Sequence, residues 1–174
     1  YRPGRWSSDC ILEEHAFLHS LQKEGLTVAA PWLQPNQSSL STHSGLHVAF
    51  FPKVVGRMPQ ELSLADFEKI GRKIALLHNV GAKTQFKHRP ILGEIPHDPY
   101  ENLQFLLPWV APEVRKRYSE AAEDLFSAIQ DNIDFDCFQP IHGDCHRGNI
   151  LHNGKQGAEE EFFFVDFDDC MLGP

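Results

Sequence analysis

IHGDCHRGNIL at residues 141–151 and FFFVDFDD at residues 162–169 decide how this chain is read. The first stretch gathers His142, Asp144, His146 and Asn149, and the second carries Asp166, Asp168 and Asp169. Asn149–His152 and Glu161–Val165 are short runs suited to extended backbone. Asn153-Gly154 and Gly157 between them predict an antiparallel hairpin with a long loop. A hairpin returns on itself, so Asn149 before the first strand and Asp166 after the second come to one end. Asp144, on the loop entering the hairpin, falls at that end too. An amide and a carboxylate converging on one point supply hard oxygen ligands, which suit Mg²⁺ or Mn²⁺ rather than zinc. Asp144, close but separate, is placed as a base or orienting group for a hydroxyl nucleophile. That division of labour fits phosphoryl transfer, where positioning and charge neutralisation do most of the chemistry.

The rest of the chain narrows the class. With 174 residues, 41% apolar and 23% charged, it reads as one globular domain or part of a larger one. A net charge of −8 without a basic stripe argues against a nucleic-acid partner. No apolar run approaches the ~20 residues of a membrane span, and Tyr1-Arg2-Pro3 opens no signal-peptide pattern. Cys10, Cys137, Cys145 and Cys170 are scattered without a CxxC pair. Structural zinc and a disulfide framework are therefore disfavoured, and a reducing cytoplasm is the expected compartment.

Periodicity outlines the elements. Asp9 or Ser8 is expected to cap a first helix that Gly25 ends, with Ile11, Glu14, Phe17, Leu18 and Leu21 on one face. Glu14 thus falls on the buried stripe and needs a partner, whereas Glu13 reads as a solvated charge. Asn36–Ser44 reads as a polar loop, and Leu46, Val48 and Phe50 alternate like a half-buried strand that Pro52 stops. Ser63-x-x-Asp66 predicts a capped helix running to about Gly81, with Leu64, Phe67, Ile70, Ile74 and Leu77 on its apolar face. Residues 84–112, cut by five prolines, read as irregular around a short apolar piece at Leu103–Leu107. Pro112 opens a last helix whose apolar face is Val114, Tyr118, Ala121, Leu125 and Ile129.

HGDCHRGN followed by VDFDD resembles the HGDxHxGN and D-x-D signature of the aminoglycoside phosphotransferase and choline kinase-like enzymes, as does IGRKIALLH at 70–78. More narrowly, YRPGRWS, ILEEHAFL, VAAPW, HVAFFPKVVGR and FKHRPILG resemble the bacterial stress-response kinases of that superfamily. The resemblance implies an α+β, protein-kinase-like fold, present in part. Residues 1–52 would be the remainder of an N-lobe with helix C and the hinge-leading strands. Residues 53–174 would be the core of a mainly helical C-lobe with catalytic loop and hairpin. It implies an ATP- and Mg²⁺-dependent Ser/Thr protein kinase, cytoplasmic and monomeric, acting on a protein substrate or on itself. Residue by residue, Asp144 would be catalytic, Asn149 and Asp166 would hold Mg²⁺, and Glu14 would position the ATP lysine. Phe51, Pro52, Lys53 and Val54 would form the hinge that meets adenine. His146 would stand near the γ-phosphate, with loop stabilisation as the alternative, and Asp168 or Asp169 would support the loop after Asp166.

One departure matters. The first lysine is Lys23, and no GxGxxG occurs. In the family both the strand lysine and the phosphate loop precede the segment at Tyr1, and further helices follow the one at Pro174. A fragment without activity of its own is therefore expected. Two other readings remain: a kinase for an amino alcohol, sugar or aminoglycoside, because HGDxHxGN does not set the acceptor, or a non-catalytic kinase-derived binding module.

Overall fold

The computed structural model describes residues 1–92, 99–132, 134–155 and 161–174. Helix α1 spans Ser8–Lys23, and its cap is Ser7, whose hydroxyl accepts from the Cys10 N–H. The cap thus falls just before the expected Ser8 or Asp9, since all three residues have side-chain oxygens suited to the role. Ile11, Glu14, Phe17, Leu18 and Leu21 are buried as the spacing requires. Strands β1 (Ser41–His43) and β2 (Leu46–Val48) pair antiparallel around Ser44-Gly45. The end of the expected polar loop is therefore strand. Leu46 and Phe50 are exposed rather than half-buried; β2 ends at Val48, and among the described residues the ribbon has two strands only.

Helix α2 (Leu64–Gly81) begins with the expected capping box, Ser63 and Asp66 exchanging side-chain and backbone hydrogen bonds. Ile70, Leu77 and Val80 are buried, but Leu64 and Phe67 project beyond the core. The region expected to be irregular contains helix α3 (Pro99–Leu106), continued by a 3₁₀ turn at Leu107–Trp109. Pro99 stands at the first helical position, where its missing N–H costs nothing. Helix α4 (Pro112–Asn132) opens at Pro112 as expected. Its stripe of Val114, Tyr118, Leu125 and Ile129 faces outward rather than into a core. None of the described helices is long and apolar enough to cross a membrane.

The last third of the chain is built from two ribbons. Strand β3 (Gln139–Ile141) pairs antiparallel with β6 (Met171–Gly173), and β4 (Ile150–His152) pairs antiparallel with β5 (Phe162–Phe164). Residues 142–149 run from β3 to β4, and residues 165–170 run from β5 to β6. Both loops are thus strung between the same two ribbons. Pro90–Leu92 extends the first along Leu172, and Arg57 extends the second along His152. The core lies between α1, α2 and the second ribbon, with Phe17, Leu21, Leu77, Phe162, Phe164 and Phe167 at its centre. The run Glu159-Glu160-Glu161 reads as a solvated turn; Glu159 and Glu160 fall outside the described residues, and Glu161 is half-buried and pairs with Lys73 at 3.5 Å.

Candidate active site

The loop at 142–149 is held by its own first residue. His142 is buried, and its Nε2 donates to the Val165 carbonyl at 3.0 Å while Nδ1 accepts the Asp144 N–H at 3.4 Å. Burial lowers its pKa, so the neutral ring carries one proton, on Nε2. Gly143 follows with φ +81°, and a Cβ there would lie 1.9 Å from the Asp169 carbonyl oxygen. Only glycine lets the two loops approach this closely.

Asn149 is buried, and its Nδ2 donates to the Asp144 carbonyl at 3.0 Å and to Asp144 Oδ2 at 3.2 Å. With its nitrogen committed to Asp144, the amide presents its oxygen as the group left for a cation. The Val165 N–H donates to the Asn149 carbonyl at 3.0 Å, bringing the next residue, Asp166, alongside. Asp166 has φ +63° and is exposed; aspartate is among the few non-glycine residues that occupy this region readily. The structure thus gathers Asp144, Asn149 and Asp166 at one end of the β4–β5 ribbon. An amide oxygen and a carboxylate match the donors Mg²⁺ takes, one or two carboxylates with the remaining positions left to water and phosphate. His146 is exposed, with Nδ1 3.8 Å from Asp144 Oδ1, too far for a hydrogen bond.

Beside this cluster lies a cavity of about 530 Å³, bounded by Tyr1, Glu14, Leu18, Phe51, Asp166 and Asp168. Of the four expected hinge residues Phe51 lines it; Pro52, Lys53 and Val54 do not. Glu14 is buried, as its place on the helix stripe predicted, and the cation it meets in this chain is Arg89, Nη2 to Oε2 at 2.7 Å. Burial pushes the Glu14 carboxyl up to about 7, with Arg89 opposing the rise. Its other oxygen accepts from the Tyr1 hydroxyl at 3.3 Å, which also meets His15 Nε2 at 2.8 Å, and His15 Nδ1 meets the Ser39 hydroxyl at 2.7 Å. Burial lowers the His15 pKa to about 4. A neutral His15 that accepts from Ser39 and donates to Tyr1 lets Tyr1 donate to Glu14, so the chain of protons is consistent.

Three residues here had no signal in the sequence. Glu13, read as a solvated charge, accepts from the backbone N–H groups of Lys87, His88 and Arg89 at 2.7–3.0 Å. Arg5 bridges the carboxylates of Asp168 and Asp169, so both acidic residues tie the loop after Asp166. Arg89, its side chain fully buried, donates Nε to the Cys10 carbonyl at 2.8 Å and Nη1 to the Asp168 carbonyl at 2.6 Å. Its guanidinium lies 4.8 Å from the centre of the Trp6 ring. Buried arginine needs such a set of acceptors, but nothing in its flanking residues marks Arg89 as buried.

Residues 1–174 match the model of the APH phosphotransferase enzyme family, and the chain belongs to that family. It is 37% identical over 182 residues to the serine/threonine protein kinase RdoA of Salmonella typhimurium (strain LT2), covering 100% of this chain and 52% of that protein. It is 36% identical over 180 residues to the stress response kinase A of Escherichia coli (strain K12), again covering 100% of this chain and 52% of the relative. The chain therefore spans about half the length of the curated relatives it matches. Among solved structures, the amicoumacin kinase hAmiN in complex with AMP-PNP, Ca²⁺ and Ami superposes with a TM-score of 0.70 at 23% identity, covering 97% of this chain and 51% of that one. At that identity the likeness concerns the fold alone, and the fold is the kinase-like one expected.

Proposed function

We propose that this member of the phosphotransferase enzyme family is part of an ATP- and Mg²⁺-dependent protein kinase that acts on Ser or Thr hydroxyls in a bacterial stress response. The observation that carries the proposal is the Asn149 amide on Asp144, with Asp166 brought alongside through the Val165–Asn149 hydrogen bond. Asp144 is the group that takes or orients the acceptor hydroxyl proton. Asn149 holds that carboxylate by its nitrogen, and Asn149 and Asp166 offer oxygens to the metal. Mg²⁺ bound there would neutralise charge on the phosphate oxygens. Phe51 and Leu18 give the cavity an apolar wall suited to adenine, with Pro52, Lys53 and Val54 as the adjoining hinge backbone. Glu14 is the carboxylate that would meet the ATP lysine, and His146 stands at the open rim by the phosphates. Activity is expected of the full-length protein rather than of this stretch.

The protein-kinase reading is favoured over a small-molecule kinase by the 36–37% identity to relatives so named. The small-molecule reading draws on the fold likeness to the amicoumacin kinase. Incubating the full-length protein with γ-labelled Mg-ATP and with a panel of protein and small alcohol acceptors tests both. Label on protein Ser or Thr is expected. Clean labelling of a small alcohol without autophosphorylation would overturn the protein-kinase reading, and no Mg-ATP binding in a thermal-shift assay would leave a non-catalytic module.

A further inference from the structure

We propose that Arg89 is a positioning residue of the phosphotransfer site, one guanidinium that sets the Glu14 carboxylate and the 166–170 loop at a fixed separation. The inference rests on the phosphotransfer reading above and adds a residue to it. The planar guanidinium fork presents its donors in directions fixed relative to one another. Here those directions end on α1, through the Cys10 carbonyl and Glu14 Oε2, and on the loop after Asp166, through the Asp168 carbonyl at 2.6 Å and the Cys170 carbonyl at 3.4 Å. Glu14, Asp166 and Asp168 all line the cavity, whereas Arg89 does not, so it acts through them. Its backbone is fixed independently by Glu13, and Pro90–Leu92 lies along β6, so the fork is anchored at its base.

Stability alone does not account for this arrangement. A buried ion pair is often no better for stability than apolar residues of similar volume. What an apolar substitute cannot do is hold three backbone carbonyls and a carboxylate in one geometry. Glu14 is also faced by the Tyr1 hydroxyl, by Asp168 and, through Tyr1, by His15. Asp168 disfavours its ionised form while Arg89 and the Tyr1 hydrogen bond favour it. Arg89 thus contributes both a position and a charge, and two variants separate them. Lysine keeps the charge and loses the fork; methionine loses both.

The experiment measures autophosphorylation kcat, KM for ATP and the pH profile of the full-length protein, with Asp144→Asn run alongside. Arg89→Lys, which retains a buried cation, is expected to lower kcat at least 10-fold, and a full loss of register costs about 100-fold. Its acid limb stays where the wild type has it. Arg89→Met is expected to lower kcat as far or further and to move the acid limb to higher pH, because Glu14 then protonates more readily. Wild-type kcat and pH profile in a folded Arg89→Lys protein, with only Tm reduced, would show a purely structural residue and overturn the proposal. A wild type without transfer, or an Asp144→Asn variant with full activity, would instead overturn the phosphotransfer reading on which it rests.

Discussion

Replacing Gly143 by alanine tests whether the two loops of the site touch as closely as the structure has them. The backbone there has φ +81°, where an added side chain costs about 1 kcal/mol. The larger cost is space. A Cβ would lie 1.9 Å from the Asp169 carbonyl oxygen and 2.7 Å from its carbon, and these are backbone atoms that no rotamer change can clear. One loop must move by more than an ångström. Forcing atoms into a packed site costs roughly 1–3 kcal/mol, which puts the total near 2–4 kcal/mol. At about 2–4 °C per kcal/mol for a domain of this size, Tm should fall by roughly 5–15 °C. Because the displaced segments carry Asp144 and Asp166, kcat of the full-length protein should fall about 100-fold. Gly45→Ala is the control, since φ is +78° but no atom lies within 4 Å of the added carbon. It should cost about 1 kcal/mol and leave kcat unchanged. Thermal shift and steady-state kinetics on both variants decide the matter: equal, small losses would refute the close approach.

Asp144→Asn should reduce turnover by about 10²–10⁴ while sparing nucleotide affinity. Asp166→Ala should lose metal-dependent nucleotide binding in a titration with and without Mg²⁺, and unchanged binding would contradict its role as a ligand. Between about pH 4.5 and 6.5, Glu14, raised to about 7, and His15, lowered to about 4, act oppositely on stability. The folded state binds more protons at Glu14 and fewer at His15, so stability rises toward acid through the first and falls through the second. His15→Gln removes the opposing member, and its Tm relative to wild type should climb as pH is lowered from 7 to 5; parallel Tm–pH curves would refute this. Phe17→Ala empties a fully buried core position and should cost about 3–5 kcal/mol by denaturant unfolding.

The parts of the fold legible in the sequence are those governed by short-range rules. The Ser63–Asp66 capping box and the β4–β5 hairpin each rest on residues adjacent in the chain, and both formed where expected. Glu14 was legible as a buried carboxylate because helical spacing fixes its face, but its partner here was not, since Arg89 is 75 residues away. Glu13 failed for a related reason. Periodicity says which way a side chain points, not that three N–H groups of a distant segment will be waiting there. Helix α3 was hidden by its prolines, which read as breakers until one is seen at a first helical position. The apolar stripe of α4 is plain in the spacing of Val114, Tyr118, Leu125 and Ile129, but a stripe does not state what covers it.

The suspension of both loops between the same two ribbons has a mechanical consequence. A strand that bends or twists carries the root of one loop and, through its paired strand, the root of the other. Motions of the scaffold are therefore common-mode at the site: they shift Asp144 and Asp166 together and largely cancel in the gap between them. To change that gap, the cross-ties must break, namely the hydrogen bonds from His142 to Val165 and from Val165 to Asn149. An event at those ties is therefore what changes the spacing between Asp144 and Asp166.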